Sequence, residues 1–159
     1  MATDELTHLN SAGEAHMVDV GDKPVTVRRA VARARVTMAA ETFRRLSSGD
    51  TPKGDVLAVA RVAAIQGAKR TSELIPLCHP IPLTRVDVAI ALVDGGATVE
   101  VTTEARDRTG VEMEAMVAAS TAALTLYDML KGIDRAISFD VALIEKSGGK
   151  SGHFVREAP

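Results

Sequence analysis

The clearest candidates for chemistry begin with the segment Leu77-Cys78-His79-Pro80. Neighbouring prolines at Pro76 and Pro82 stiffen it, and we predict that it presents its side chains between a helix end and a strand start. His79 could act as a general acid or base, because imidazole titrates near neutral pH. Cys78 could be a nucleophile or a metal ligand. Adjacent side chains diverge and two ligands do not complete a metal site, so a purely structural loop is the alternative.

A second group of candidates is basic and flanks the helix that we predict after Thr51. Lys53 lies near its start, and Lys69 and Arg70 lie near its end. Ammonium and guanidinium groups in these places can recognise phosphate charge. They can equally well interact with the helix dipole or face solvent, and the spacing alone leaves both interpretations open.

The second long helix carries acids at its start and an acid–base pair at its end. Glu112 and Glu114 fall in the first turn, where the dipole favours negative charge. Asp128 and Lys131 are three residues apart and share a face, so they form either a surface ion pair or an acid–base couple. Fourteen residues of α-helix span about 21 Å, so Glu114 and Asp128 can share one small-molecule site only if another subunit supplies one of them.

The last candidate segment is the run from Lys146 to Gly152, which alternates glycine, serine and lysine. Glycines leave backbone N–H groups free to face an anion, and the lysines add charge. The spacing is not that of a P-loop, because Ile144 stands where that motif requires glycine. A polar, flexible basic end of the chain is the alternative that the sequence favours.

The elements that must position these residues follow from apolar periodicity and from turn residues. Ala30, Ala32, Ala34 and Val36 share one face of a strand, opposite a run of arginines. Thr51 is expected to cap the first long helix with Pro52 at its first position, and Pro76 and Pro80 bound its far end. The predicted elements are strand 24–38, short helix 41–46, long helix from 51, strands 85–92 and 97–102, helix 111–131 and strand 137–143.

The order strand, helix, strand, strand, helix, strand is typical of an α+β, ferredoxin-like split βαβ fold with helices on one face of an antiparallel sheet. We predict one catalytic domain over residues 24–159, preceded by an N-terminal arm over residues 1–23. The arm has no sustained period, and it is either a loose tail or a segment that docks onto a neighbouring subunit.

Composition restricts the function classes. The 159 residues are 46% hydrophobic but only 3% aromatic, and a core of small side chains buries little area per residue, so we expect an oligomer. A net charge of -2 and few aromatics argue against nucleic-acid binding. One cysteine excludes an internal disulfide. With no signal-peptide pattern and no apolar stretch long enough for a bilayer, we expect no membrane association and a cytoplasmic location.

Together the motifs resemble the molybdenum cofactor biosynthesis protein C family, from about Leu6 to Phe154. The blocks that carry the resemblance are Leu6–Asn10, Gly13–Val20, Lys53–Val56, Ala68–Thr71, Leu74–Pro80, Thr109–Ala115, Leu124–Met129 and Lys146–Gly152. The resemblance implies a ferredoxin-like subunit in a homohexamer, a trimer of dimers with active sites at the dimer interface. It implies a lyase that converts a cyclic dihydroguanosine triphosphate made from GTP into cyclic pyranopterin monophosphate and pyrophosphate.

The same resemblance implies roles for individual residues. Asp128 and Lys131 match the principal catalytic pair. Substrate-binding positions are matched by Leu77, Cys78, His79, Met113 and Glu114, and further functional lysines by Lys53, Lys69 and Lys146. His16 and Arg28 match positions near the site. The resemblance implies no redox cofactor and no protein metal site, although magnesium could accompany the triphosphate.

Two other functions compete with this one. One is a non-catalytic ferredoxin-like module that binds a small ligand, which accounts for the fold but not for the dense set of ionisable side chains. The other is a metal-dependent phosphohydrolase that uses His79 and the carboxylates.

Overall fold

The computed structural model describes residues 8–157 as a five-stranded antiparallel sheet with helices packed on it, and this confirms the predicted α+β ferredoxin-like class. The elements in chain order are β1 Thr26–Thr37, α1 Ala40–Ser48, α2 Val56–Lys69, α3 Thr71–Leu74, β2 Leu83–Val93, β3 Gly96–Asp107, α4 Glu112–Leu130, β4 Ser138–Ser147 and β5 Phe154–Val155. Residues 1–7 and 158–159 lie outside this description, so Leu6 and the outer limits of the predicted arm and domain stay predictions.

The sheet has the strand order β2-β3-β1-β4-β5, and β1 lies at its centre between β3 and β4. The alanines predicted for the inner face of β1 are fully buried, as alternation with period two requires. Ala32 pairs with Val101 of β3, and the pairing with β4 shifts register between Val31 and Ala32. Small side chains along β1 leave room for α4 to pack against the strand.

Helices α2 and α4 pack against each other through small residues. Ala60 and Ala64 of α2 and Ala118 and Ala122 of α4 are fully buried. At Gly67 an added Cβ would lie 2.6 Å from Oγ1 of Thr121, so the two helices have no room there for a side chain. A core built from such small side chains agrees with the aromatic content of only 3%.

One predicted helix start is wrong. Helix α2 begins at Val56 and not at Pro52, and its N-cap is Asp55, whose Oδ1 accepts a hydrogen bond of 3.0 Å from the N–H of Ala58. Thr51 accepts from the N–H of Gly54, whose φ of 78° closes a turn between them. A carboxylate cap four residues after Thr51 competes better for the first free N–H groups, so Lys53 lies in a turn.

The C-terminal segment is not a flexible end. Lys146 and Ser147 are the last residues of β4, and Lys146 pairs with Ala30 of β1. After a glycine-rich turn the chain returns as β5, which pairs with β4 through Glu145 and Val155. The small and charged residues of this segment do not form the apolar pattern of a strand, so the sequence did not predict the pairing of β4 with β5. Long-range contacts determine that pairing.

The described part of the arm, residues 8–23, is mostly exposed, and only Val18 and Val20 are partly buried. Oδ1 of Asn10 accepts hydrogen bonds from the N–H groups of Ala12 and Glu14, which closes a small turn beneath a bridge between Leu9 and Ala15. At the other end of the arm, Nε of Arg108 donates to the carbonyl of Lys23 over 3.2 Å. Within residues 8–157, no helix combines the length and the apolar character that crossing a bilayer requires.

Candidate functional site

A cleft of about 410 Å³ lies between the arm, the segment before β2 and the start of α4. Five of the residues predicted to bind substrate line it together: Leu77, Cys78, His79, Met113 and Glu114. The other lining residues are His8, Val18, Val20, Lys23, Ile81, Thr109, Gly110 and Glu112. The structure therefore brings two segments that are distant in sequence to one concave surface.

Short hydrogen-bonded turns hold the two walls of the cleft. The N–H of Cys78 donates to the carbonyl of Ile75 over 3.1 Å, directly after α3. On the other wall, the buried hydroxyl of Thr103 donates to the carbonyl of Val111 over 2.9 Å, which fixes the loop that leads into α4. Both walls are thus loop segments that hydrogen bonds fix at the ends of regular elements, which favours a preformed binding surface.

Glu114 is the most unusual side chain of the cleft. It is only 3% exposed, and its Oε2 has no hydrogen-bond partner among the described residues. Burial raises the pKa of Glu114 to about 7, and the nearby charge of Glu112 adds to this effect. Near neutral pH this carboxyl can therefore hold or release a proton, and a ligand N–H would supply its missing partner.

Burial also raises the pKa of the Cys78 thiol, and the Glu114 carboxyl contributes to the same shift. A raised pKa keeps the sulfur protonated, whereas both nucleophiles and metal ligands need the thiolate. Cys78 therefore belongs to the cleft wall, and the environment argues against the nucleophile that its position beside His79 suggested.

Lys146 reaches the edge of the same cleft. Its Nζ lies 3.3 Å from Oε1 of Glu112, and the Lys146 side chain is 19% exposed. The ammonium group also contacts the hydroxyl of Ser151 across the glycine-rich turn. The pairing of β4 with β1 thus brings a cation beside the carboxylates of the first turn of α4.

A second cluster forms at the other end of α4. Nζ of Lys131 lies 2.7 Å from Oδ1 of Asp128, and Nζ of Lys53 lies 3.2 Å from Oδ2 of the same carboxylate. The hydrogen bonds from Lys131 and Lys53 hold the pKa of Asp128 below its usual range, and Asp128 in turn raises the pKa of Lys131. Asp128 and Lys131 are therefore both charged at neutral pH.

Within one chain the two clusters stay apart. Glu114 and Asp128 are fourteen residues apart on one continuous helix, a separation of about 21 Å. Lys69 joins neither cluster. It lines a neighbouring groove of about 460 Å³ with Arg85, which shares only Ile81 with the cleft.

Several lining residues escaped prediction. His8 and Lys23 reach the cleft from the arm. The arm has no regular alternation of apolar residues, so its sequence did not indicate that it lines a cleft. His16 does not line the cleft, and its N–H bonds instead to the carbonyl of His8. Arg28 is buried below the loop that leads into α4.

Across residues 8–157 there is no group of three or more His, Cys, Asp or Glu side chains arranged to hold a metal ion.

Comparison with known proteins gives a consistent result. The model of the MoaC family matches residues 17–149. A protein of Thermomicrobium roseum with the name cyclic pyranopterin monophosphate synthase is 56% identical over 156 residues, which covers 96% of this chain and 94% of the relative. A protein of Heliobacterium modesticaldum with the same name is 55% identical over 157 residues, which covers 97% of this chain and 99% of the relative. The similarity thus spans the cleft and the cluster around Asp128.

Proposed function

Because the chain belongs to the MoaC family, we propose that it catalyses the reaction for which its relatives are named, the synthesis of cyclic pyranopterin monophosphate in molybdenum cofactor biosynthesis. The enzyme is a lyase that takes a cyclic dihydroguanosine triphosphate derived from GTP and releases pyrophosphate. The observation that carries the proposal is the cleft with its buried Glu114, whose Oε2 has no hydrogen-bond partner within residues 8–157, beside the segment Leu77–His79.

The cleft suits the base-derived part of such a substrate. Its volume of about 410 Å³ falls in the range of small-molecule sites. A guanine-derived ring carries N–H groups on one edge, and Oε2 of Glu114 is an acceptor to which none of the residues 8–157 donates. Met113 and Leu77 supply apolar contacts beside it.

We propose that a second copy of the chain completes the site. The separation of about 21 Å along α4 prevents one chain from placing Asp128 and Lys131 against its own Glu114. Apolar side chains on the helical layer also face outward: Val59 and Val62 of α2 and Leu124 of α4 are 44%, 55% and 58% exposed. Such a surface favours association, and the proposed assembly is a homohexamer built as a trimer of dimers.

In this site Lys131 is the proposed acid–base residue, and Asp128 positions it. The carboxylate 2.7 Å away raises the pKa of Lys131, so the resting group is an ammonium that donates a proton first. Ring opening and closure also require a proton acceptor. Glu114 suits that role because its pKa of about 7 lets it exchange protons near neutral pH.

The phosphate chemistry needs cations. The oxygen of a sugar hydroxyl attacks the α-phosphorus, the bond to the bridging oxygen breaks, and pyrophosphate leaves while the hydroxyl proton passes to a base. Negative charge grows on the leaving oxygens, and the ammonium groups of Lys53, Lys69 and Lys146 are proposed to balance it. Lys146 beside Glu112 and Lys53 beside Asp128 support this assignment, since each lies next to one of the two clusters.

The proposal includes no redox cofactor, because the net reaction transfers no electrons to an acceptor. Magnesium would be carried by the triphosphate rather than by a cage of protein carboxylates. We also propose that the enzyme works in the cytoplasm, where a GTP-derived nucleotide is available.

The test is incubation of the purified protein with the cyclic GTP-derived intermediate, followed by measurement of pyrophosphate and of the pterin product. We expect both in equal amounts. Binding without release of pyrophosphate would show a non-catalytic ligand-binding module instead. A metal-dependent phosphohydrolase would release phosphate from other nucleotides and lose all turnover after exhaustive chelation.

A further inference from the structure

Arg28 is the only buried arginine among the described residues, and it lies outside both clusters. It is 7% exposed and lies near the start of β1, on the face that carries the buried alanines. Its Nε donates to the carbonyl of Asp107 over 3.2 Å, and its Nη2 donates to the carbonyl of Arg108 over 2.9 Å. One planar guanidinium group therefore holds two consecutive carbonyls of the loop that leads into α4.

The glycine-rich turn after β4 closes on the other side of Arg28. An added Cβ on Gly149 would lie 1.6 Å from Nη1 of Arg28, and one on Gly148 would lie 2.2 Å from the carbonyl oxygen of Val27. Both glycines also have positive φ values, of 76° and 94°. The turn thus requires glycine at both positions, because the backbone packs directly on the arginine and on β1.

We propose that Arg28 is a positioning residue of the active site. It joins the loop 107–111, which leads to Glu112 and Glu114, to the turn 148–149, which follows Lys146. We call this arrangement of Arg28, the carbonyls of Asp107 and Arg108, and Gly148–Gly149 the arginine clasp. The proposal rests on the proposed function, since it concerns how that site keeps its geometry.

The clasp controls one distance in particular. Only Ser147 separates Lys146 from the turn, and Glu112 directly follows the loop. The Lys146 and Glu112 side chains meet at 3.3 Å on the edge of the cleft. A shift of either backbone segment would separate them and would also move Glu114. Displacements of about 1 Å in a catalytic arrangement can reduce the rate by about 10²-fold.

The structure argues against direct contact between Arg28 and a ligand. Nε and Nη2 already donate to the protein, Nη1 is covered by the turn, and Arg28 does not line the cleft. In the described part of the chain Arg28 forms no ion pair with a carboxylate, so its role depends on the fork of N–H donors. Lysine keeps the charge but cannot reproduce that fork.

The proposal is tested with Arg28→Lys and Arg28→Ala, and with Arg33→Ala as the matched control. Arg33 lies on the same strand but on the open face of the sheet, where it pairs with Glu100. Hydrogen–deuterium exchange is measured across loop 107–111 and turn 148–152, together with kcat and KM for the cyclic intermediate. We expect faster exchange in both segments for the Arg28 variants only, and kcat/KM reduced by about 10- to 100-fold.

A second variant distinguishes positioning from a general loss of folding. Gly149→Ala should reduce kcat/KM more in the wild-type background than in Arg28→Ala, because removal of the guanidinium relieves the clash with the methyl group and leaves only the strain of the positive φ. The defect of Arg28→Ala should also be smaller in the Lys146→Ala background than in the wild type, since part of it arises from the displaced ammonium group of Lys146.

Unchanged exchange in the two segments, or fully additive effects of the paired variants, would refute the clasp. The exchange measurement does not depend on turnover. If the wild type made no product while exchange responded as expected, the proposed function would fail and the clasp would stand.

Discussion

The two ends of α4 carry similar residues in opposite environments. At the N-terminal end Glu114 is 3% exposed, one of its oxygens has no partner in the part of the chain that the structure describes, and its pKa is raised to about 7. Near the C-terminal end Asp128 is about half exposed, and contacts with two ammonium groups lower its pKa. Burial without a partner favours the neutral acid, whereas exposure beside cations favours the anion.

This difference supports the proposal that the two ends contribute different groups to one site. The buried end has a preformed cleft and a carboxyl that exchanges protons near neutral pH, but its cations lie at the edge. The exposed end is rich in charge, but Lys53, Asp128 and Lys131 do not line the cleft. A site that contains both features needs the ends of two different α4 helices.

The largest expected effect is at the exposed end. Replacement of Lys131 by alanine should lower kcat by about 10²- to 10⁴-fold, because general acid–base catalysis contributes that much. Steady-state release of pyrophosphate measures it. The control is Arg135→Ala, which removes an exposed cation near Lys131. Turnover near the wild-type rate in Lys131→Ala would show that Lys131 is not the acid–base residue.

Glu114→Gln should have the next largest effect, with kcat/KM lower by about 10- to 100-fold. Glutamine has nearly the same shape and can still accept a hydrogen bond, but it cannot exchange a proton, so kcat should fall more than KM rises. The matched control is Glu73→Gln on α3, which lies at the surface. A change in KM alone would show that Glu114 only binds.

The pH dependence of stability should also distinguish the two ends. The folded pKa of Glu114 lies above its ordinary value of 4.5, so its contribution is fully present below pH 4.5 and is lost as the pH rises through about 7. This corresponds to about 3 kcal/mol of unfolding free energy. Denaturant unfolding at fixed protein concentration should show that Glu114→Gln removes this slope. An identical slope in the variant would mean that Glu114 is not the buried acid.

A smaller effect is expected in the middle of α4, between its two ends. Gly67→Ala places a methyl group 2.6 Å from Oγ1 of Thr121 and should reduce the free energy of unfolding by about 1–3 kcal/mol. Gly132→Ala is the control, because nothing lies within 4 Å of its added Cβ. Equal stability of the two variants would contradict the close packing of α2 on α4.

Much of the fold follows from local patterns in the sequence. The alternation in β1 predicted its buried alanines, and the turn at Asp94–Gly96 predicted the hairpin of β2 and β3. The predicted start of α2 was wrong because two residues that can cap a helix, Thr51 and Asp55, lie four positions apart. The sequence alone did not identify Asp55 as the stronger cap.

The site was predictable only in parts. Spacing placed Asp128 beside Lys131, because residues three apart share a helical face. It could not place Lys53 there, since a turn 75 residues away in sequence brings that lysine to the carboxylate. The clasp around Arg28 and the wall formed by His8 depend on long-range packing, for which the sequence has no periodic signal.

The most direct test of the shared site is complementation between two inactive variants. Lys131→Ala and Glu114→Gln chains are produced together with different affinity tags, and the mixed assemblies are isolated and assayed. If the two ends of α4 meet across a two-fold interface, each mixed dimer has one site with both changes and one with neither, so equal random mixing should restore about a quarter of the wild-type activity. Activity no higher than that of the separate variants would show that each chain forms its site alone, and the account would be wrong.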